Sequence, residues 1–541
     1  MQLVAKMPRN TIFSQYRRSI GNTGTTKPCA KLHEHCNALV MLACGAGTSF
    51  VVNNEGHLFA TGLNNNQQLG LPNMLHVCAR KKCTACRKKL SHEYFVDVGS
   101  QQTPCREFAA VSSCAENGAA LEKNTGNLFT WGNNSAGQIG VGISSETCSM
   151  QHVKEYQSEF GDMIAMPEVV QISCGRKHML VKTRSGRIMT CGNNRFGQLG
   201  IGVTRHVVKN SVFFMDLAAM LDSDKVAVLD HVSSIQAGGD VCAVICEDHT
   251  LWTWGSDIHH QLGYVIGEVI ATNLHTQCVP RVVEITNIDS IIPIPLLVTR
   301  ISLGSTHTAC IGMDRNVYTW GTNTAGKLGN GSRQNTSLPS MACSFRTFGA
   351  TPKDVCCGGY HTLVMTEKNT LWTCGSGKFG AGHGQGSSCS LLFRQVYLKR
   401  SGVKTRVEVA GIAAGKTHSM IITCDDHVMT CGKMKSSMYI DTQNPDLLDT
   451  FDGFGGLGYF QGMATAGHVY DFKHVTQLQD CMAFGQQLSR NTRNKFEFFI
   501  LGIYFDKSNA AHSTDRMYMN LLHCDLIDMI VAQISVSSSL V

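Results

Sequence analysis

Seven times along its 541 residues the chain runs into the same short apolar segment ending in glycine. The segments are Leu58-Phe-Ala-Thr-Gly62, Leu128-Phe-Thr-Trp-Gly132, Ile188-Met-Thr-Cys-Gly192, Leu251-Trp-Thr-Trp-Gly255, Val317-Tyr-Thr-Trp-Gly321, Leu371-Trp-Thr-Cys-Gly375 and Val428-Met-Thr-Cys-Gly432. Their closing glycines stand 70, 60, 63, 66, 54 and 57 residues apart. Self-similarity on this scale constrains the fold more than any local propensity. One such unit has nothing to cover its apolar face, so neighbouring units must stack.

Two further elements recur with each segment. After the glycine comes Asn66-Gln-Gln-Leu-Gly70, Gly137-Gln-Ile-Gly140, Gly197-Gln-Leu-Gly200, His260-Gln-Leu-Gly263 or Gly326-Lys-Leu-Gly329, drifting in unit six to Phe379-Gly-Ala-Gly-His-Gly384. Upstream stands a turn, clearest as Cys174-Gly-Arg-Lys-His178, Leu303-Gly-Ser-Thr-His-Thr308, Cys357-Gly-Gly-Tyr-His-Thr362 and Ala414-Gly-Lys-Thr-His-Ser419. Each unit therefore reads as strand, turn, strand, Gly-rich turn, with the β-branched and aromatic content of a half-buried sheet. Four short strands fit within each repeat. Radial closure of such units leaves only short, protected edges, which predicts an all-β, seven-bladed β-propeller. An open solenoid is the alternative, and it would want distinct capping units. Trp131, Trp254, Trp320, Cys191, Cys374 and Cys431 share one repeat position, read as packing between blades.

The series Gly-x-x-His-Thr, Trp-Gly-x-Asn and Gly-Gln-Leu-Gly resembles the regulator-of-chromosome-condensation repeat, over about residues 37–460. The resemblance implies seven blades around a central shaft. The family's founding activity is guanine-nucleotide exchange on the small nuclear GTPase Ran, by one propeller face wedging the nucleotide site open. Its contacts are acids in the turns before the His position and a histidine two blades further on. By that match Asp240 in Gly238-Gly-Asp-Val241 and His361 are the GTPase-contact candidates. The preceding unit offers Arg176 and Lys177 where an acid is expected, and no extra β-wedge follows Gly192. These departures favour a protein-interaction platform. A chromatin-associated exchange factor for a Ran-like GTPase is the alternative, and a mitochondrial relative of the family is another. A light-sensing relative uses tryptophan rings in a Gly-Trp-Arg-His-Thr context, which none of the five tryptophans here occupies.

Three segments fall outside the regular repeat. Residues 1–36 form a basic arm with Lys6, Arg9, Arg17, Arg18, Lys27 and Lys31 and no acid before Glu34. Such an arm reads as a nucleic-acid contact, a mitochondrial presequence or a solvated tail. The insert at about 71–106 carries Cys78, Cys83, Cys86 and His92 among six Lys and Arg residues, Arg80 to Lys89. One Cys-x-x-Cys pair with a further Cys and a His is the donor set of a tetrahedral zinc site, and a mobile basic loop with incidental thiols is the other reading. Residues 461–541 do not repeat. Within them Phe496–Phe505 reads as a strand and His523–Val536 as a strand or short helix, and either could close the ring by joining a blade.

Composition narrows the setting. Hydrophobic residues make up 43% and charged residues 16%, the balance of a globular chain. Most of the 24 cysteines lie in apolar runs, which suits free thiols in a reducing compartment, cytoplasmic or nuclear. No apolar run is long enough to span a membrane. The motif histidines His178, His307, His361 and His418 share one repeat position and read as structural, bonded to turn backbone. No phosphate loop or nucleophile elbow is present, so no enzyme site is read from the sequence.

Overall fold

The computed structural model describes residues 39–474 apart from 72–90, 203–207, 222–228, 267–274, 286–292, 384–388, 434–467 and a few shorter gaps. All of these lie in the first of two compact units, Met1–Met482; the second, Ala483–Val541, lies outside the described residues.

The described chain forms seven blades, each built from four consecutive antiparallel strands; six are four-stranded sheets and the third is part of a six-stranded one. Blade 1 spans Leu39–Asp97, blade 2 Phe108–His152, blade 3 Val169–Asp216 and blade 4 Val232–Val282. Blade 5 spans Val298–Cys343, blade 6 Pro352–Gln395 and blade 7 Val409–His474. The architecture is a seven-bladed β-propeller. Its apolar core is divided between the blades: each cluster of buried side chains lies between one blade and the next, and blade 7 packs on blade 1 through Val428, Met420, Val51 and Cys44.

The recurrent glycine is explained by the pairing of third and outer strands. In every blade the register slips at that glycine, between Ala60/Gly62, Thr130/Gly132 and their equivalents, by one residue in blade 2 and by two in the other six. The seven glycines hold φ between 98° and 119°. A β-bulge with positive φ excludes a side chain at little cost only for glycine. The threonine two places earlier closes the following turn: Thr130, Thr253 and Thr319 each donate a hydroxyl to the carbonyl of the Leu or Ile in the Gln-Leu-Gly element, at 2.7–2.8 Å.

Two outer strands lie where the repeat was illegible. Ser91–Asp97 completes blade 1 from within the basic insert, and His468–His474 completes blade 7 from the segment read as non-repeating. Phe496–Phe505 and His523–Val536 lie outside the described residues. The link from blade 2 to blade 3 folds as a hairpin, Glu155–Gln157 with Met163–Ala165, which extends blade 3 to six strands.

Candidate functional site

The four motif histidines open the second strands of blades 3, 5, 6 and 7 and are buried. Each reaches into the following blade. His178 Nε2 lies 3.1 Å from Cys242 Sγ, His307 Nε2 2.8 Å from Thr362 Oγ1, His361 Nε2 2.6 Å from Ser419 Oγ and His418 Nε2 3.0 Å from Ser49 Oγ. Cys242, Thr362 and Ser419 in turn donate to the carbonyls of Gln198, Lys327 and Gly380 in the blade that sent the histidine. A thiol or hydroxyl has one proton. With that proton on the carbonyl, the imidazole must donate from Nε2, which fixes the neutral Nε2–H tautomer. Nδ1 of each ring has no hydrogen-bond partner among the described residues. Burial pushes the pKa down to about 4 in His178 and His418 and to about 3 in His361, and His307 lies well below its ordinary value for the same reason.

The expected backbone partners are therefore replaced by side chains across a blade junction. The turn has no backbone to spare, because Gly175, Gly304, Gly358 and Gly415 donate their N–H to the carbonyl of the histidine itself, at 2.9 Å. Those glycines also leave room for the ring, which a Cβ would strike. The legible signal was the residue after the His position in the unit that follows each histidine: Cys242, Thr362, Ser419 and Ser49 are small and carry a proton.

The Trp/Cys position makes the complementary bond. Trp131, Trp254 and Trp320 donate indole N–H to the carbonyls of Gln68, Gln198 and Gln261 of the preceding blade, at 2.9–3.1 Å. Cys191, Cys374 and Cys431 direct their thiols to Gln138, Lys327 and Gly380 in the same way. At six of the seven junctions this position thus adds a hydrogen bond to the packing between blades.

In an antiparallel meander, the turn from first to second strand and the loop from third to outer strand leave the same edge. The first-to-second turns bond blade to blade: Ala46 N–H to Ala115 carbonyl at 2.9 Å, Arg176 to Gly239 at 2.7 Å, Gly359 to Gly415 at 3.2 Å and Lys416 to Gly45 at 3.4 Å. They form a rigid rim on one propeller face. On it Arg176, Lys177, Arg195, Lys209, Arg333 and Lys378 are exposed and Lys416 is half-buried, against accessible acids only at Glu116 and Glu146 among the described residues. Tyr360 and Phe379 pack together on the same face, ring centroids 4.8 Å apart.

Asp240 belongs to this rim. It is buried and sits 3.1 Å from the Arg176 guanidinium. Burial pushes its carboxyl up, and Arg176 opposes that shift. His361 is fully buried and tied to Ser419. Neither is presented to solvent, and the two belong to blades 4 and 6. Cys78, Cys83 and Cys86 lie outside the described residues. His92 lies in the outer strand of blade 1, in register with Gly62. Among the described residues no cluster of His, Cys, Asp and Glu is placed to hold a metal, and no helix is long and apolar enough to cross a membrane. The sixteen cysteines whose side chains are described are free thiols.

The regulator of chromosome condensation (RCC1) repeat model matches residues 125–181, 248–311 and 314–365, and a second model of the same repeat matches 169–198 and 353–381. The human E3 ubiquitin-protein ligase HERC2 is 25% identical over 57% of this chain and 6% of its own length. The human X-linked retinitis pigmentosa GTPase regulator is 29% identical over 50% of this chain and 28% of its own, and human protein RCC2 23% identical over 59% and 57%. The chain thus spans between a small part and just over half of the curated relatives it matches. Among solved structures, yeast RCC1 (Prp20) bound to Kap60 has a TM-score of 0.54 at 16% identity, covering 70% of this chain and 79% of that one. Human WBSCR16 gives 0.53 at 20% identity, covering 72% and 87%. Prp20p from Saccharomyces cerevisiae, described with its binding to Gsp1p and histones, gives 0.52 at 15% identity, covering 71% and 82%. With seven blades sharing one set of turn and junction bonds, and the repeat model matching units from blade 2 to blade 6, the chain is a propeller that carries regulator of chromosome condensation (RCC1) repeats.

Proposed function

We propose that the chain is a protein-interaction platform whose turn face docks an acidic surface of a partner protein. The observation that carries this is the one-sided charge of a rigid rim: seven accessible Lys and Arg residues against Glu116 and Glu146. Like-signed charge on a pre-formed surface steers an oppositely charged partner and fixes its orientation. The opposite face is mixed, with Glu107, Glu247, Asp248, Asp314, Glu367 and Glu408 interleaved with Lys123, Arg184, Arg315 and Lys368. Affinity purification of the full chain beside a Lys177→Glu, Arg195→Glu, Lys416→Glu variant tests the reading. Partners should be lost from the variant; equal recovery by a folded variant would overturn it.

Nucleotide exchange on a Ran-like small GTPase is the second reading. It draws on Asp240 standing in the matching turn of this face and on the described binding of Gsp1p by Prp20p. Arg176 has to release Asp240, and His361 has to act through the rim it braces. Release of a fluorescent GDP analogue no faster than the spontaneous rate removes this reading. Chromatin or nucleic acid remains a partner class through residues 1–36 and the basic insert, and a salt-titrated shift assay with duplex DNA tests it. Zinc on Cys78, Cys83, Cys86 and His92 is decided by metal analysis beside a Cys83→Ser, Cys86→Ser variant. Free thiols suit a reducing compartment, nuclear or cytoplasmic, and a mitochondrial address read from the basic arm is the alternative. Imaging of a C-terminally tagged chain separates them.

A further inference from the structure

The hairpin between blades 2 and 3 has no counterpart in the repeat, and its exposed side is apolar and acidic. Its first strand is anchored: Tyr156 is buried against the junction of blades 2 and 3, and Gln157 pairs with Met215 of the blade 3 outer strand. Its loop is tightly closed. Ser158 donates its N–H to the Asp162 carbonyl at 2.9 Å, and its hydroxyl accepts the Asp162 N–H at 3.0 Å. This firm turn holds Phe160 84% exposed, with Met163 and Ile164 exposed beside it. Large apolar side chains held out by ordered backbone mark a binding surface rather than a loose loop.

The second strand, Met163–Ala165, is a sheet edge that pairs only with the first. Bonds at Ser158/Asp162 and at Met166 N–H to Lys154 carbonyl, 2.7 Å, set the alternation of the ladder. They place Tyr156 and Ile164 in the bonded pair between them and turn the N–H and C=O of Met163 and Ala165 outward. Alongside runs a cavity of about 280 Å³ lined by Tyr156, Ile164, Ala165, Pro167, Ser185 and Arg187. That is below the range of small-molecule sites and suits one or two side chains of a peptide. Glu155, Glu159 and Asp162 are exposed and form no ion pair among the described residues, whereas Arg184 and Arg187 are matched by Glu168 and Asp216.

We infer that this edge is a second docking site, on the far side from the turn face, for an extended peptide segment of a partner protein in which basic and apolar side chains alternate. The peptide adds a strand to Met163–Ala165, sets an apolar side chain in the cavity and turns its basic side chains to Glu155, Glu159 and Asp162.

Selection of random 12-residue peptides displayed on phage, using the full chain, tests this. The variants Met163→Pro and Ile164→Lys serve as counter-selection. Met163 N–H faces outward, so proline there removes a docking donor and no internal bond. Enriched peptides should alternate Lys or Arg with aliphatic or aromatic residues, and synthetic copies should bind both variants at least ~10-fold more weakly by fluorescence anisotropy. Unchanged thermal melting shows that the variants are folded. Peptides that bind the variants as tightly as the parent, acidic peptides, or no enrichment would overturn the site. So would a concentration-dependent dimer abolished by Ile164→Lys, which would make the occupant a second copy of this chain.

Discussion

Lys327 is the residue at which this propeller departs furthest from its own repeat. Units one to four carry glutamine there, and Gln68, Gln138, Gln198 and Gln261 each accept a backbone N–H two residues back, at 2.7–2.9 Å. Lysine has no acceptor. The residue is 1% exposed, and its ammonium donates to Thr306 Oγ1 and the Gly359 carbonyl and makes no ion pair among the described residues. Burial pushes its pKa down to about 8. The unfolded chain then holds a proton between pH 8 and the ordinary lysine value that the folded chain has lost. Stability therefore rises with pH across that window, and below pH 8 the deficit is fully present, about 3 kcal/mol. Lys327→Gln should stabilise the protein by ~1–3 kcal/mol in denaturant unfolding at pH 7. The advantage should shrink at pH 9.5, where the parent lysine is neutral. An advantage equal at both pH values would show that the buried charge is not its source. The substitution is plain in the sequence as Gly326-Lys-Leu-Gly329, but its cost is not, because burial of that position depends on the neighbouring turn at Gly359.

At the scale of the element, the blade junction is the unit of stability, and its chemistry is acid-sensitive. His178, His361 and His418 hold folded pKa values of about 4, 3 and 4. The unfolded value is ordinary, so the unfolded chain takes up protons that the folded chain refuses. The stability tied to these rings is present above about pH 6.5 and is lost as pH falls toward the folded values. Each ring accounts for about 3 kcal/mol by pH 4, and three together match the whole stability of an ordinary domain. Far-UV circular dichroism should show cooperative unfolding between pH 4 and 6, taking up about three protons or more; an intact fold at pH 4 would contradict the junction model. The inner three strands of each blade were legible because their bonds repeat: a histidine, a small proton-bearing residue and a bulged glycine at fixed offsets. Outer strands were not. Ser91–Asp97 and His468–His474 follow long loops, so no fixed offset points to them, and the hairpin at Glu155–Ala165 has no equivalent unit to be compared with.

Across the whole molecule, the same junction bond closes the ring. Blades of this chain are each made of consecutive strands, so the described ends of the propeller do not share a sheet. Closure rests instead on His418 against Ser49, on Lys416 N–H to the Gly45 carbonyl, and on packing of Met420, Val428, Val51 and Cys44. The histidine and serine lie 369 residues apart, whereas His307 and Thr362 of an internal junction are 55 apart and also joined through the chain between their blades. A junction without a covalent link is the one at which the ring opens locally at least cost. Hydrogen exchange followed by mass spectrometry should find the strands Thr48–Asn53 and His418–Thr423 less protected than the equally buried strands Val241–Cys246 and His307–Gly312. His418→Ala removes the bond and leaves a cavity, at a cost of ~2–4 kcal/mol. It should speed exchange at the seam about tenfold or more, because local opening there has lost its brace, and change blades 3 to 5 much less. His307→Ala provides the comparison, since it removes the same bond where the chain still holds the two blades together. Equal and uniform loss of protection in both variants would mean that the ring opens as one unit, with no seam.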